Sequence, residues 1–354
     1  MQGAGTMRDF KATYVALGAL TAAALVACAG GVQNATGSLP LVQRPALLPL
    51  HHHPRFLHEF KLEKGAYPSS IVAGSDGAMW FGTYPYFTNH PPRHLGIGRI
   101  KVSGEQHYFK FGQGVYDVAE GSDGNVWFTN PYATPYTVGF ITSAGKVTQF
   151  PSVGGGLPES MAADTSGHLW YTDFGGNPDI IEIATDGSTV AGFKVADGSA
   201  VAVAHGATGL IWFNTVGSPI SVGRITRHGR QLQGPIGGPS YIPGPMALGP
   251  DGRMWICDGD MLAAVDSALG VTLYTNPAGG GFADVTAGPD GNIWATDFVN
   301  SAIVRVTTGG KMSEYPTPTP NMIPNAIAAG PDGNIWFTEI QQQTDKSRIG
   351  VLQP

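Results

Sequence analysis

Two cysteines, a charged fraction of only 13% and no run of lysine or arginine mark this 354-residue chain by what it has little of. An average soluble domain carries about 25% charged residues, so much of this surface is built from other side chains. Cys28 and Cys257 permit at most one disulfide, which excludes a small disulfide-stapled scaffold. The formal charge of −6 comes without a basic stripe, so the electrostatic footprint of nucleic-acid binding is missing and no nucleic-acid partner is expected. Long apolar runs are also scarce. The one from Tyr14 to Ala27 is too short and too alanine-rich for a membrane span.

That run has a different reading. Arg8 and Lys11 precede it, and it ends in Leu25-Val26-Ala27-Cys28, the arrangement of a lipoprotein export signal with its lipobox. The cysteine is needed chemically, because its thiol accepts the lipid and its amine becomes the new terminus. Residues 1–28 are therefore read as a signal peptide, with Cys28 as the lipidation site and membrane attachment through it. The bland alternative is an ordinary signal cut near Ala29. With Cys28 acylated, Cys257 remains a lone thiol and is expected in a strand core. Residues 29–55, rich in Gly, Pro, Ser and Leu and including His51-His52-His53, read as a flexible linker rather than a metal-binding tract.

The abundant residues carry the fold. The chain holds 51 glycines and 27 prolines, a content that suggests disorder only where no period orders it. Here a period exists. The seven tryptophans stand at 80, 127, 170, 212, 255, 294 and 336, spaced by 47, 43, 42, 43, 39 and 42 residues. A repeat of about 40–45 residues is the signature of propeller blades of four strands each. The cleanest unit is Ala326-Ile327-Ala328-Ala329-Gly330-Pro331-Asp332-Gly333-Asn334-Ile335-Trp336-Phe337-Thr338: a short apolar strand, a tight turn, then a Trp-centred strand. A third strand such as Val222–Thr226 and a fourth such as Val147–Phe150 complete each unit. The last unit runs out after its third strand at Arg348–Val351, while Phe56–Leu62 carries a fourth-strand pattern. The sequence thus predicts an all-β seven-bladed propeller over 56–354, closed by its N-terminal strand. Such closure leaves no free inter-blade edge, and a monomer is expected.

Function should lie on the face carrying the variable loops. The turns between first and second and between third and fourth strands are short and uniform, so the opposite face, around the channel mouth, is the candidate. Its longest loop runs from Tyr84 to His94 and offers Tyr84, Tyr86, His90, Arg93 and His94; Tyr132 and Tyr136 follow in the second unit. Aromatics with polar tips make a binding rim for a small molecule, peptide or glycan; the alternative is a proline-stiffened cover over its own blade. Three residues beyond each tryptophan stand Thr83, Asn130, Asp173, Thr215, Asp258, Asp297 and Glu339. Their carboxylates either hold a divalent cation or cap their own loops, and loop capping is the preferred reading. At the mouth position of the seven first strands stand Ser69, Tyr116, Glu159, Val201, Gly244, Ala283 and Asn325, with no histidine among them.

Gly330-Pro331-Asp332-Gly333-Asn334-Ile335-Trp336-Phe337-Thr338-Glu339, together with Glu314-Tyr315-Pro316-Thr317-Pro318-Thr319-Pro320, closely resembles the virginiamycin B lyase family. The likeness spans about 56–354. It implies a seven-bladed propeller that opens the lactone of streptogramin B antibiotics by elimination, with Mg2+ polarising the ester and a base removing the α-proton. The family carries histidines in a Pro-His-small-Ile phrase opening its last two blades. This chain has Asn325 and Ala283 at those places. An amide cannot transfer the proton, and an alanine can do nothing. Glu339 stands near the family's late magnesium-associated glutamate and is the one metal candidate. The expectation is a non-catalytic or re-specialised binding propeller. Its alternative is a magnesium-dependent carbon–oxygen lyase in which Glu159 or His90 takes the base role, with the resistance function that activity implies. A sugar-lactone hydrolase reading lacks a calcium constellation.

Overall fold

The computed structural model describes residues 53–84, 94–237, 243–341 and 346–354. Cys28, the export signal and most of the linker lie outside these residues.

Seven antiparallel four-stranded sheets form the ring. Blade 1 comprises β2 (Pro68–Ala73), β3 (Ala78–Thr83), β4 (Gly96–Lys101) and β5 (Gln106–Lys110), and blade 2 comprises β6 (Asp117–Glu120), β7 (Val126–Asn130), β8 (Thr137–Ile141) and β9 (Val147–Pro151). Blade 3 is β10 (Leu157–Ala163), β11 (Leu169–Phe174), β12 (Ile180–Ile183) and β13 (Thr189–Phe193); blade 4 is β14 (Ser199–His205), β15 (Ile211–Val216), β16 (Ser221–Ile225) and β17 (Gln231–Pro235). Blade 5 follows with β18 (Met246–Leu248), β19 (Met254–Asp258), β20 (Met261–Val265) and β21 (Val271–Thr275), and blade 6 with β22 (Phe282–Ala287), β23 (Ile293–Asp297), β24 (Ala302–Val306) and β25 (Met312–Pro316). Blade 7 takes β26 (Ile323–Ala329), β27 (Ile335–Gln341) and β28 (Lys346–Gln353) from the end of the chain. Its outer strand is β1 (Arg55–Lys61), antiparallel to β28 with Phe60 opposite Ile349.

Each tryptophan is a core pin with three attachments. All seven are buried. In six blades the indole N–H donates to an aspartate of the preceding turn: Asp76, Asp123, Asp164, Asp251, Asp290 and Asp332, at 2.9 to 3.2 Å. In five of these the aspartate belongs to the Asp-Gly pair and in blade 3 it is Asp164 at the turn's start, so one side chain serves the turn and the core together. On the ring face lies a fourth-strand aromatic, as in Trp80–Phe109, Trp170–Phe193 and Trp255–Tyr274. The seam repeats this arrangement with Phe60 of β1 stacked on Trp336. The third contact is made through that aromatic, over which the next blade's turn closes. A Cβ on Gly145, whose φ is +88°, would stand 2.3 Å from Phe109, so only glycine lets that turn close over the ring. Blade 4 departs from the scheme. Its turn Gly206–Leu210 has no aspartate, and Gly234 stands where the aromatic would be. Cys257 is fully buried in β19.

Candidate functional site

The mouth is held open by a collar of hydrogen bonds set two residues beyond the tryptophans. Thr129, Thr172, Asn214, Thr296 and Thr338 each accept a backbone N–H from the inner strand of their own blade, at 3.0 to 3.2 Å. Four of them also donate to the mouth-position carbonyl of the next blade: Thr129 to Glu159, Thr172 to Val201, Asn214 to Gly244 and Thr296 to Asn325. In blade 1 the corresponding residue is Gly82, where a Cβ would press on Ser69 Oγ at 2.5 Å. Ser69 supplies the missing donor itself, to Val115 O at 2.8 Å. A second set of staples comes from the next residue of the inner strands. Asp117 accepts from Met161 N at 2.9 Å, Ser160 from Val203 N at 3.2 Å and Asp284 from Ile327 N at 2.9 Å. Burial, opposed in part by these bonds and reinforced by Asp117 of blade 2, holds the Asp284 carboxyl well above its usual range. The repeated Trp-x-Thr was visible in the sequence, but nothing local distinguishes a clamping threonine from an ordinary strand residue.

The collar decides what the mouth residues of blades 6 and 7 can do. Asn325 is 2% exposed. Its Nδ2 donates to Ser69 O at 3.0 Å across the seam, and its own carbonyl accepts from Thr296. This side chain is an inter-blade clamp. Ala283 is fully buried beside it in sequence to Asp284. Asp297 is a loop cap: its carboxylate accepts from the backbone of Gly281, Val299 and Asn300 and from the side-chain amides of Asn276 and Asn300. Glu339 is fully buried in β27, opposite Arg348 of β28. Burial, then Glu59, pushes its carboxyl up to about 8, with Thr317 and Arg348 pulling the other way.

Blades 1 to 3 present a different mouth. Glu159 stands at the β10 bulge between Pro158 and Met161, half-buried. Burial pushes its carboxyl up to about 8, and the charge of Asp173 adds to this. Tyr116 is half-buried, and its phenol is raised well above its usual range by burial and then by Glu159, Tyr132, Asp117 and Tyr84. Tyr132 is 42% exposed, yet its phenol is also raised by surrounding protein and by Glu159. Asp173 is fully buried behind Glu159 and accepts from Gly156 N at 3.2 Å.

The remaining rim candidates divide. Tyr84 is 4% exposed and so lies inside the rim rather than on it. His94 is turned inward, with Nε2 3.1 Å from Glu63 and its ring near Tyr108. Tyr136 is half-buried, and its carbonyl accepts from Ser152 N. Tyr86, His90 and Arg93 lie outside the described residues.

The model of the virginiamycin B lyase family matches residues 56–231 and 189–351. The chain belongs to the virginiamycin B lyase family. Among solved structures it is similar to a streptogramin B lyase, at 24% identity and a TM-score of 0.71, over 85% of this chain and 97% of that one. It is similar also to a catalytically inactive histidine-to-alanine virginiamycin B lyase from Staphylococcus aureus with quinupristin, at 23% identity and a TM-score of 0.74, over 85% of this chain and 100% of that one. A third likeness is to the extracellular domain of a hybrid two-component system from B. thetaiotaomicron, at 17% identity and a TM-score of 0.64, over 85% of this chain and 41% of that one. No curated protein matches the chain. At these identities the solved structures speak for the fold.

The virginiamycin B lyase family implies magnesium beside Glu339, and the donor set here does not fit it. Mg2+ takes ionised oxygens in an octahedral arrangement and keeps several waters. Glu339 is the one carboxylate at that place, fully buried in β27 with Arg348 of β28 opposite it. Ala283 and Asn325 supply neither carboxylate nor imidazole. Among the described residues one group of three metal-type donors converges, Asp164, His168 and Glu182. There Arg227 already occupies Glu182 at 2.8 Å, and Asp164 is held by Ser166, His168 N and Trp170. It reads as a charge network next to the core pin of blade 3.

Proposed function

We propose that this chain is a binding propeller of the virginiamycin B lyase family, re-specialised away from its elimination chemistry, that holds a small molecule, peptide or glycan at its mouth. One observation carries the reading: Asn325, at the family's proton-transfer position, is committed as the clamp between blades 7 and 1. General acid–base catalysis needs a titratable group within reach of the substrate proton, and neither Asn325 nor Ala283 is one. The test is incubation of the full chain with a streptogramin B depsipeptide and Mg2+, followed by chromatography and mass spectrometry. The antibiotic should emerge unchanged. A new peak of unchanged mass, lost with EDTA, would restore the lyase. One feature favours that second reading: Glu159, with its carboxyl near 8, is tuned for proton transfer near neutral pH.

Export and anchoring belong to the same proposal, supported by the apolar run that ends in Leu25-Val26-Ala27-Cys28. In a bacterial host fed labelled palmitate, the chain should take up label and Cys28→Ser should not. Equal labelling of both would remove the anchor.

A further inference from the structure

On the face opposite the mouth, the turn between β10 and β11 departs from the repeat in three ways that meet at one point. Blades 2, 6 and 7 carry an asparagine two residues before the tryptophan, and Asn125, Asn292 and Asn334 each donate Nδ2 to the turn aspartate at 2.7 to 2.8 Å. Blade 3 has His168 there. On the third strand, opposite the tryptophan, blades 1 and 6 carry Arg99 and Arg305, which pair with the same turn aspartates at 2.7 and 2.9 Å. Blade 3 has Glu182 opposite Trp170. Its aspartate, Asp164, stands at the start of the turn rather than beside the glycine. Where those blades close on a neutral Asp–Arg pair, this one collects two carboxylates and an imidazole.

Their donor atoms converge. His168 Nδ1 lies 3.3 Å from Glu182 Oε1 and 3.9 Å from Asp164 Oδ2, and one donor atom of each residue falls within 4.8 Å of the others. The two carboxylates are 4% and 1% exposed, while the imidazole keeps 20% of its surface in water. Asp164 Oδ1 accepts the three bonds of its turn, from Ser166 N, Ser166 Oγ and His168 N, and Oδ2 accepts the Trp170 indole at 3.1 Å. Burial opposes ionisation, yet these bonds hold the Asp164 carboxyl below its usual range. Among the described residues the cation bonded to the group is Arg227 of blade 4, 41% exposed and reaching Glu182 through Nε at 2.8 Å. One guanidinium does not balance two buried carboxylates, and buried charges are compensated by partners or by metals.

We infer that Asp164, His168 and Glu182 form a site for a divalent transition-metal ion of the zinc class, whose place Arg227 takes when no ion is bound. Tetrahedral zinc, with bonds of about 2.0–2.1 Å, spaces its donors about 3.3 Å apart. His168 and Glu182 stand at that spacing, and water completes a set of three protein donors. The nitrogen donor selects zinc over Mg2+ and Ca2+, which take oxygen. The site is separate from the mouth and its role is structural: an ion there ties the β10–β11 turn to β12 beside the core pin Trp170.

The test is calorimetric titration of Zn2+ into the full chain at neutral pH, with Mg2+ and Ca2+ as controls and labelled imidazole nitrogens followed by NMR. Zn2+ should shift the His168 Nδ1 signal and raise the urea midpoint of unfolding, as a ligand bound by the folded state alone does. Mg2+ and Ca2+ should do neither. His168→Asn installs the residue of blades 2, 6 and 7, which keeps the turn. It should weaken binding by more than about tenfold, the worth of even an outer partner of a metal ligand. Arg227→Ala removes the competing cation and should tighten binding about two- to fivefold, the worth of a half-exposed ion pair. The tract His51-His52-His53 is a second possible zinc binder, so uptake unchanged in His168→Asn assigns the ion elsewhere and overturns the inference. It is equally overturned if no Zn2+ binds, if Mg2+ competes on equal terms, or if Arg227→Ala leaves binding no tighter.

Discussion

The mouth over blades 6 and 7 and the mouth over blades 2 and 3 are built on the same repeat, and they use their polar groups in opposite ways. Around blades 6 and 7 the acidic and amide side chains are buried: Asp297 caps its loop, Asn325 Nδ2 donates to Ser69 O, and Glu339 lies in β27 opposite Arg348. Around blades 2 and 3 the collar fixes Glu159 by its backbone carbonyl, and its half-buried side chain acts on the Tyr116 and Tyr132 phenols. Blade 7 is assembled from both chain ends, its closure made by β1 on β28, while clamps between neighbouring blades recur around the ring, from Thr129 in blade 2 to Asn325 in blade 7.

The strongest break of that comparison is Asp297→Ala. Five donors converge on this buried carboxylate, and removing it leaves several of them buried without partners. Each such orphan costs about 1–3 kcal/mol, so a loss of roughly 3–5 kcal/mol is expected from urea unfolding. A loss below about 1 kcal/mol would show that the loop re-solvates freely and that the mouth of blade 6 is as open as that of blade 3.

These roles were unequally legible beforehand. The blades were readable because each repeats a tryptophan after a Gly-containing turn at a near-constant spacing, and the seam was readable because Phe56–Leu62 carries a fourth-strand pattern, with Phe60 where Tyr315 stands in its own blade. Capping by Asp297 was legible as a preference, since its loop follows in sequence. The clamp made by Asn325 was not, because its partner Ser69 lies 256 residues away. Position alone also gave Glu159 and Asn325 the same standing, as mouth residues of equivalent strands. What separates them is whether the side chain or only the backbone is engaged, and that depends on the neighbouring blade. Tyr84 and His94 were read as rim because their loop is long, yet both pack inward.

A finer test compares the two glutamates, since Glu339 and Glu159 both have carboxyls pushed up to about 8 with burial as the first cause. For Glu339 the folded value lies above its ordinary 4.5, so between those two pH values the native state holds a proton that the unfolded chain has lost. Stability therefore falls as pH rises through this window, by up to about 1.4 kcal/mol per pH unit. Glutamine imitates the protonated carboxyl, so Glu339→Gln should match the wild type near pH 5 and exceed it at pH 8 in urea unfolding. The same pH trend is expected for Glu159→Gln, whose carboxyl is raised as far and by the same first cause. A Glu339→Gln variant less stable than wild type at pH 8 would mean that Glu339 is ionised there. Its charge would then be balanced by Arg348 or by a cation, and the magnesium reading rejected above for blade 7 would have to be taken up again.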